Sequence, residues 1–290
     1  MKEICYWSVG DGDYALMLQS LVYSFRQVGM EDDFYAISDR QIDGATLTFN
    51  RPQFDKIFYL FKFKFLLEIL SKLDYRYFVF IDADCYFVRK LTGVLDLMQG
   101  SPIHVFLESD CTSQLAVDGR GQWRECPLPV YVKMMRDKGV TSSKIYNLNA
   151  GFFIVERSAI FKVHMLAYDF WFYTFRQGWQ TTEEPALAYA MHMMCGDPDL
   201  HTLRRNPDVF ATDWLGHFQK VLPVDETWDF TDYMTGEKYP VRPAIVHSFV
   251  NKDSLIALGN TSACALLCCL ATQNSLPQKS VERQCRQNYW

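Results

Sequence analysis

The chain has 290 residues, 49% hydrophobic and 22% charged, with 29 Lys+Arg against 34 Asp+Glu and a formal net charge of −5. At roughly 150 residues per domain, this allows one large α/β domain or two smaller ones with an ample core, and it excludes disordered and collagen-like chains. A pI near 5.7 with no run of several consecutive Lys/Arg gives no footprint for a phosphate backbone, so no nucleic-acid partner is expected. Nine cysteines, an odd count, match neither paired CxxC knuckles nor a small disulfide scaffold, which fits a reducing cytosol. The N-terminus enters the alternating stretch Ile4-Cys5-Tyr6-Trp7-Ser8-Val9 without a basic leader. The longest uncharged apolar run, 263–271, is about half of the roughly 20 residues that span a bilayer. The expectation is a cytoplasmic protein with no transmembrane segment.

In chain order, residues 3–9 read as a strand, and a Gly/Asp turn leads into a helix over 14–28 with Leu18, Leu21, Val22 and Phe25 at helical spacing, stopped by Gly29. A short strand follows at 34–37, then a polar stretch with Pro52, a helix over about 61–73 and a strongly apolar strand at 77–81. Repeated βα units imply a mainly parallel, doubly wound sheet, in which ligands bind beyond the carboxyl ends of the strands. Further on, 103–107 reads as a strand, 110–129 as an irregular loop, 150–155 as a strand, and 159–176 and 183–194 as helices, the latter with Pro185 in its first turn. Residues 207–243 mix loop and short strand, and 245–249 is a last strand. The expected domain spans 1–258, in two halves that meet at about residue 100. Cys264, Cys268, Cys269 and Cys285 crowd a tail over 259–290, which either docks on the body or carries lipid. Asn260-Thr-Ser262 is a formal glycosylation sequon, expected to occur by chance since no secretory leader is read.

Asp-x-Asp occurs as Asp11-Gly-Asp13, Asp82-Ala-Asp84 and Asp197-Pro-Asp199, so context must separate the three. Asp82 ends the most hydrophobic strand, where an isolated carboxylate is costly to desolvate unless it is paired, hydrogen-bonded or on a metal. With small Ala83 between them, Asp82 and Asp84 can converge on one hard divalent ion, which can bridge the two phosphates of a nucleotide. The bland alternative has Asp82 capping the next element and Asp84 solvated. For Asp197-Pro-Asp199, between Gly196 and Leu200, the turn reading is the better one.

The run Tyr77-Phe-Val-Phe-Ile-Asp-Ala-Asp-Cys-Tyr-Phe-Val-Arg89, preceded by Lys64 on a helix, resembles the strand-plus-Asp-x-Asp segment of nucleotide-sugar glycosyltransferases of the GT-A fold, nearest to glycosyltransferase family 8, the glycogenin-like enzymes. Ser8–Tyr14, Asn149-Ala150-Gly151-Phe-Phe-Ile and Val246-His247-Ser-Phe fall in that family's order, so the likeness covers about 3–252. The resemblance implies a GT-A (Rossmann-like) α/β domain in which Asp82, Asp84 and His247 bind Mn2+ (or Mg2+) holding the diphosphate of a UDP-sugar, with Lys64 and Ala83 also on the donor. It implies a nucleoside-facing loop in which Ser8 and Gly10 offer backbone groups, Asp11 accepts a uracil N–H and Tyr14 stacks. Asn149 would meet sugar hydroxyls, Glu183 and Glu184 would stand at the sugar face, and Lys252 would pair with phosphate. The implied partners are a UDP-sugar donor and a glycan, lipid or protein acceptor, with transfer under retention. Trp123 and Arg124 are candidates for an acceptor wall.

The sequence departs from the family at two places. The usual His-x-x-Gly-x-x-Lys-Pro-Trp ending reads His247-Ser-Phe-Val250-Asn-Lys252-Asp253-Ser254, and the usual Asp-Gln segment is replaced by Glu183-Glu184, whose plain alternative is an acidic first helical turn. Two other functions stand beside this one. Gly10-Asp-Gly12-Asp-Tyr-Ala15, with Asp39 after the next strand, satisfies a dinucleotide-binding signature and would fit an NAD-dependent oxidoreductase, although Asp11 and Asp13 oppose a pyrophosphate at a helix N-terminus. The altered residues would also suit a non-catalytic sugar-nucleotide or glycan-binding module.

Overall fold

The structure is a computed structural model and describes residues 1–50, 58–98, 101–112, 122–123, 126–179, 182–196, 208–212, 228–231, 238–248 and 252–259. In chain order these form β1 (Lys2–Gly10), α1 (Asp13–Gln27), β2 (Phe34–Ser38), β3 (Leu47–Asn50), α2 (Phe58–Glu68), β4 (Tyr75–Ile81), β5 (Cys85–Phe87), β6 (Ile103–Asp110), β7 (Gln122–Trp123), β8 (Cys126–Pro127), α3 (Leu128–Asp137), β9 (Tyr146–Glu156), α4 (Ile160–Arg176), α5 (Glu183–Cys195), β10 (Phe210–Thr212), β11 (Trp228–Thr231), β12 (Lys238–Val241), β13 (Ile245–His247) and α6 (Lys252–Gly259).

A six-stranded sheet runs in the order β3-β2-β1-β4-β9-β6. Alternate residues of each central strand enter different cores, because a strand's side chains point to opposite faces. Cys5, Trp7, Val9, Phe78, Phe80, Phe153 and Val155 pack with residues of α2, α4 and α5. Tyr6, Val79, Ile81, Phe152 and Ile154 pack with Leu18, Leu21, Val22 and Phe25 of α1 and Leu255 of α6. Both faces are therefore covered, which explains the apolar runs 78–81 of β4 and 152–155 of β9. Each fully buried side chain of this kind contributes about 1.5–3 kcal/mol relative to exposure.

The sheet is mixed. β3, β2, β1 and β4 are parallel, while β9 pairs antiparallel with both β4 and β6. Repeated βα units predict the parallel run correctly, but a strand buried on both faces carries no pattern that reveals its direction. The reversal matters for the site. Phe152 of β9 lies opposite Ile81, so the amino-terminal residues of β9 stand at the rim where β4 ends.

Glycines end several helices. At the end of α1, the Gly29 N–H donates to the Arg26 carbonyl and the Met30 N–H to that of Phe25, with Gly29 at φ +80°. The same pair of bonds closes α3 at Gly139 and Val140, and α4 at Gly178 and Trp179. The predicted helix over 61–73 is instead α2 followed by a 3-10 turn at Leu70–Lys72. The expected loop over 110–129 contains, in its described part, the short β7–β8 pair and the first turn of α3. β3, β5, α3 and α6 carry no sequence expectation. No helix among the described residues is long and apolar enough to cross a membrane.

Candidate functional site

Asp82 and Asp84 stand in the turn between β4 and β5. The Asp82 N–H donates to the Gly151 carbonyl of β9 at 2.8 Å, and the Cys85 N–H turns back to the Asp82 carbonyl at 3.0 Å. β5 then pairs antiparallel with β13, which sets His247 opposite Cys85, and the Ser248 N–H donates to the Asp84 carbonyl at 2.8 Å. Backbone pairing thus brings the imidazole to the carboxylates. His247 Nε2 lies 3.1 Å from Asp84 Oδ1 and 3.9 Å from Asp82 Oδ2.

The other ring nitrogen fixes the imidazole's chemistry. Asn149 Oδ1 accepts the Gly151 N–H at 2.8 Å, which identifies it as the amide oxygen, and it lies 3.1 Å from His247 Nδ1. Nδ1 must therefore donate, and Nε2 faces the two carboxylates. An Nε2 lone pair facing carboxylate oxygens repels them unless a proton or a cation stands between. Gly151 makes room for this contact: a Cβ there would come within 2.8 Å of Asn149 Oδ1 and His247 Nδ1.

Two lysines flank the acids. Lys252 Nζ is 2.6 Å from Asp84 Oδ2, 3.5 Å from the Tyr14 hydroxyl and 5.3 Å from the centre of the Tyr14 ring. Lys62, buried in α2, lies 3.3 Å from Asp82 Oδ1 and 2.9 Å from Glu183 Oε1, and 4.4 Å from the centre of the Phe80 ring. Burial alone would push the pKa of Lys62 down, but Asp82 and Glu183 outweigh it and the net shift is upward. Burial would raise Asp84; His247 and then Lys252 outweigh it and hold that carboxyl well below the usual range. For Asp82, burial wins, with the Asp84 charge adding to it, so its pKa rises despite Lys62 and His247. Burial would lower His247, but Asp84 overrides it, so the net direction is upward. Asp82 keeps 27% side-chain exposure against 7% for Asp84, so the cluster opens to solvent on the Asp82 side.

This group has the composition of a cation site. The ligand atoms of Asp84, Cys85 and His247 lie within 4.8 Å of one another, close enough to hold a metal ion. Cys85 is the weakest member for a hard ion. Burial, then the charges of Asp84 and Asp82, push its thiol far up, and Sγ points at the Gly151 carbonyl 3.9 Å away. Asp82 stands outside that group, with Oδ2 3.9 Å from His247 Nε2, so it would have to swing inward to make the donor set two carboxylates and an imidazole, a set suited to a hard or borderline divalent ion.

The remaining expected site residues fall in different places. Glu183 is buried at the start of α5, its Oε2 without a hydrogen-bond partner among the described residues. Glu184 is also buried, and its Oε2 accepts the Trp123 indole N–H at 3.2 Å. Trp123 itself is buried edge-on against Tyr131, with ring centroids 4.8 Å apart, so it is a core residue and not an acceptor wall. Ser8 lies inside the sheet, opposite Ala36 and fully buried, which leaves it no open backbone to offer a nucleoside. Gly10 is required by the tight entry to α1, since a Cβ there would meet the Tyr14 carbonyl oxygen at 2.5 Å. Asp11 is half-buried in the same turn, Tyr14 is exposed on the rim beside Lys252, and Ala83 is buried between the two aspartates.

Lys64 does not join the cluster. It is 40% exposed and pairs with Glu68 one turn along. Two residues on a helix are about 200° apart, so Lys62 and Lys64 face opposite ways, and the side that packs on the core is the one that reaches Asp82. Lys62 is thus the lysine that sequence reasoning missed; on a helical wheel it and Lys64 stand equally far from the centre of the face formed by Leu60, Phe63 and Leu66, so only the packing of α2 separates them. Arg124, Asp197, Asp199, Val250, Asn260 and the cysteine-rich tail lie outside the described residues.

Compared with known family models and with curated proteins, the chain matches none.

Proposed function

We propose that this chain is a divalent-metal-dependent glycosyltransferase of GT-A architecture that moves a sugar from a nucleotide-diphosphate donor, a UDP-sugar, to an acceptor hydroxyl. The observation that carries the reading is His247: Nδ1–H donates a hydrogen bond to Asn149 Oδ1, and Nε2 is aimed at Asp84 and Asp82 at the open end of β4. Asp82, Asp84 and His247 would hold manganese or magnesium, which when bound supplies positive charge to a departing diphosphate. Tyr14, exposed at the mouth of α1, offers a ring to a base, as the sequence resemblance implies. Lys252, next to that ring, carries a mobile positive charge for phosphate oxygens. Asn149 and the buried pair Lys62–Glu183 keep polar groups fixed beside the cluster, where the hydroxyls of a donor sugar would be oriented. Retention of configuration remains part of the reading through the family resemblance alone.

A second geometry speaks against the dinucleotide alternative. The Gly12 N–H, at the head of α1, donates to Asp39 Oδ2 at 3.2 Å. An internal carboxylate therefore takes the position a pyrophosphate would need, and Asp39 is spent on the turn rather than presented to a ribose.

The test is a titration of the full chain with UDP in Mn2+, Mg2+ or chelator, followed by UDP release from a panel of UDP-sugars. The expected result is UDP binding that requires the ion and disappears in Asp82→Asn and His247→Ala, together with UDP release above background. NADH binding without metal and no UDP binding would sink the reading. Metal-dependent UDP binding with no release for any donor would mark a binding module instead.

A further inference from the structure

Both oxygens of the buried Asp84 carboxylate already face nitrogens of the chain, Oδ1 the His247 Nε2 at 3.1 Å and Oδ2 the Lys252 ammonium at 2.6 Å. Lys252 differs from Lys62 in how it is held. Lys62 is almost fully enclosed, whereas Lys252 is 29% exposed and enters from the first residue of a helix outside the central sheet. That helix has its own anchor: Leu255 is buried, and its carbonyl accepts the Ser20 hydroxyl of α1 at 2.6 Å. The backbone at Lys252 can therefore stay in place while the four-carbon side chain turns, and the Tyr14 ring and hydroxyl give the ammonium a second resting place.

We propose that Lys252 is the resident counter-cation of Asp84, exchanged when a divalent ion enters the Asp82–Asp84–His247 cluster. The inference rests on the metal-binding reading of that cluster. A buried carboxylate left alone is strongly destabilising, so in the metal-free chain Lys252 keeps the turn after β4 assembled. A divalent ion on the same carboxylate would stand next to the ammonium, and the two positive charges compete for one group. Ion entry releases Lys252 toward solvent on the open side of the cluster, the side from which a diphosphate would approach. Loading the ion and freeing a phosphate-binding charge are then one exchange, and the ion's affinity is set partly by the lysine it displaces.

Two measurements on the full chain test the exchange. Mn2+ binding is measured by calorimetry for wild type, K252M and K252R. K252M is expected to bind at least about tenfold more tightly than wild type, while K252R, which keeps the charge, stays within a few-fold of it. Reductive methylation of wild type, read by mass spectrometry, is expected to modify Lys252 at least about threefold faster with Mn2+ than with chelator. Wild-type binding that is matched or exceeded in Kd by K252M, or a methylation rate at Lys252 that Mn2+ leaves unchanged, would overturn the exchange while leaving the metal site standing. Absence of Mn2+ binding in wild type and K252M alike would overturn the metal reading itself, and the exchange with it. The methylation arm uses wild type alone and so decides the matter even if K252M fails to fold.

Discussion

At the scale of single residues, the charges of the cluster are interlocked. Lys62 serves Asp82 and Glu183 together, so Lys62→Met leaves the buried Glu183 and the half-buried Asp82 without that cation. Breaking a buried pair in this way is expected to cost about 3–5 kcal/mol, read by urea unfolding, whereas Lys64→Met should change stability by less than about 0.5 kcal/mol. Equal effects would mean that the cluster is not held by Lys62. Gly151→Ala makes a complementary test, because its methyl group would press on the His247 ring and the Asn149 amide. A loss of about 1–3 kcal/mol in stability is expected from the overpacking. Because Asn149 orients the imidazole, Mn2+ affinity should also fall by about 10–100-fold. Sequence reasoning reached Asp82 and Asp84 because carboxylates at the end of a greasy strand conflict with their surroundings, whereas His247 and Asn149 came from the family resemblance alone. It missed Lys62 because two lysines alternating with phenylalanines leave the buried face of a helix ambiguous. Ser8, expected to offer backbone groups, and Trp123, expected on an irregular loop, are both enclosed by packing that the sequence does not show.

At the scale of elements, the buried histidines of β6 and α5 predict an acid limit. Burial lowers the pKa of His104 to about 4, and burial, helped by Arg136, lowers that of His192 to about 3. His192 is fastened at both nitrogens, Nδ1 facing the Ser142 hydroxyl and Nε2 accepting the Tyr146 N–H. Both rings are neutral in the fold and would take up protons more readily once unfolded. Their stabilising effect is thus complete above the unfolded value near 6.5 and is lost as pH falls from there through about 4 and about 3. For His104 alone the loss amounts to about 3 kcal/mol by pH 4. Urea midpoints measured from pH 7 to 4 should fall less steeply in His104→Leu than in wild type; parallel curves would refute the assignment. Elements with a strong internal signal were legible: α1 and α4 through their spacing and terminal glycines, β1 and β4 through their apolar runs. β5 was hard to read because a three-residue strand has too few positions to show alternation; β13 was read as 245–249, but its pairing with β5 is a long-range fact. The residues of α3 show no such break before the β7–β8 pair turns the chain into it.

At the scale of the whole molecule, the sequence order of strands does not predict their spatial order, and the reversed β9 emerges only when the sheet is assembled. That reversal delivers Asn149 and Gly151 to the same rim as the aspartates, so the site depends on the topology as much as on its residues. A ligand that binds only the folded chain stabilises it by about 2.7 kcal/mol at a hundred times its Kd. Saturating Mn2+ should accordingly raise the Tm by about 5 °C, reversed by chelator and absent in Asp84→Asn. An equal rise in that variant would place the ion elsewhere. His247 meets Asn149 across 98 residues of chain, and the Ser20–Leu255 bond that anchors α6 spans 235. Contacts this distant form only after the intervening chain has found its place, and their closure entropy makes them slow. The ion would therefore find its full set of ligands only on a finished molecule: a ribosome-bound or prematurely cut chain that stops before β13 would have both aspartates and still not load, so that metal uptake would be a readout of completed folding.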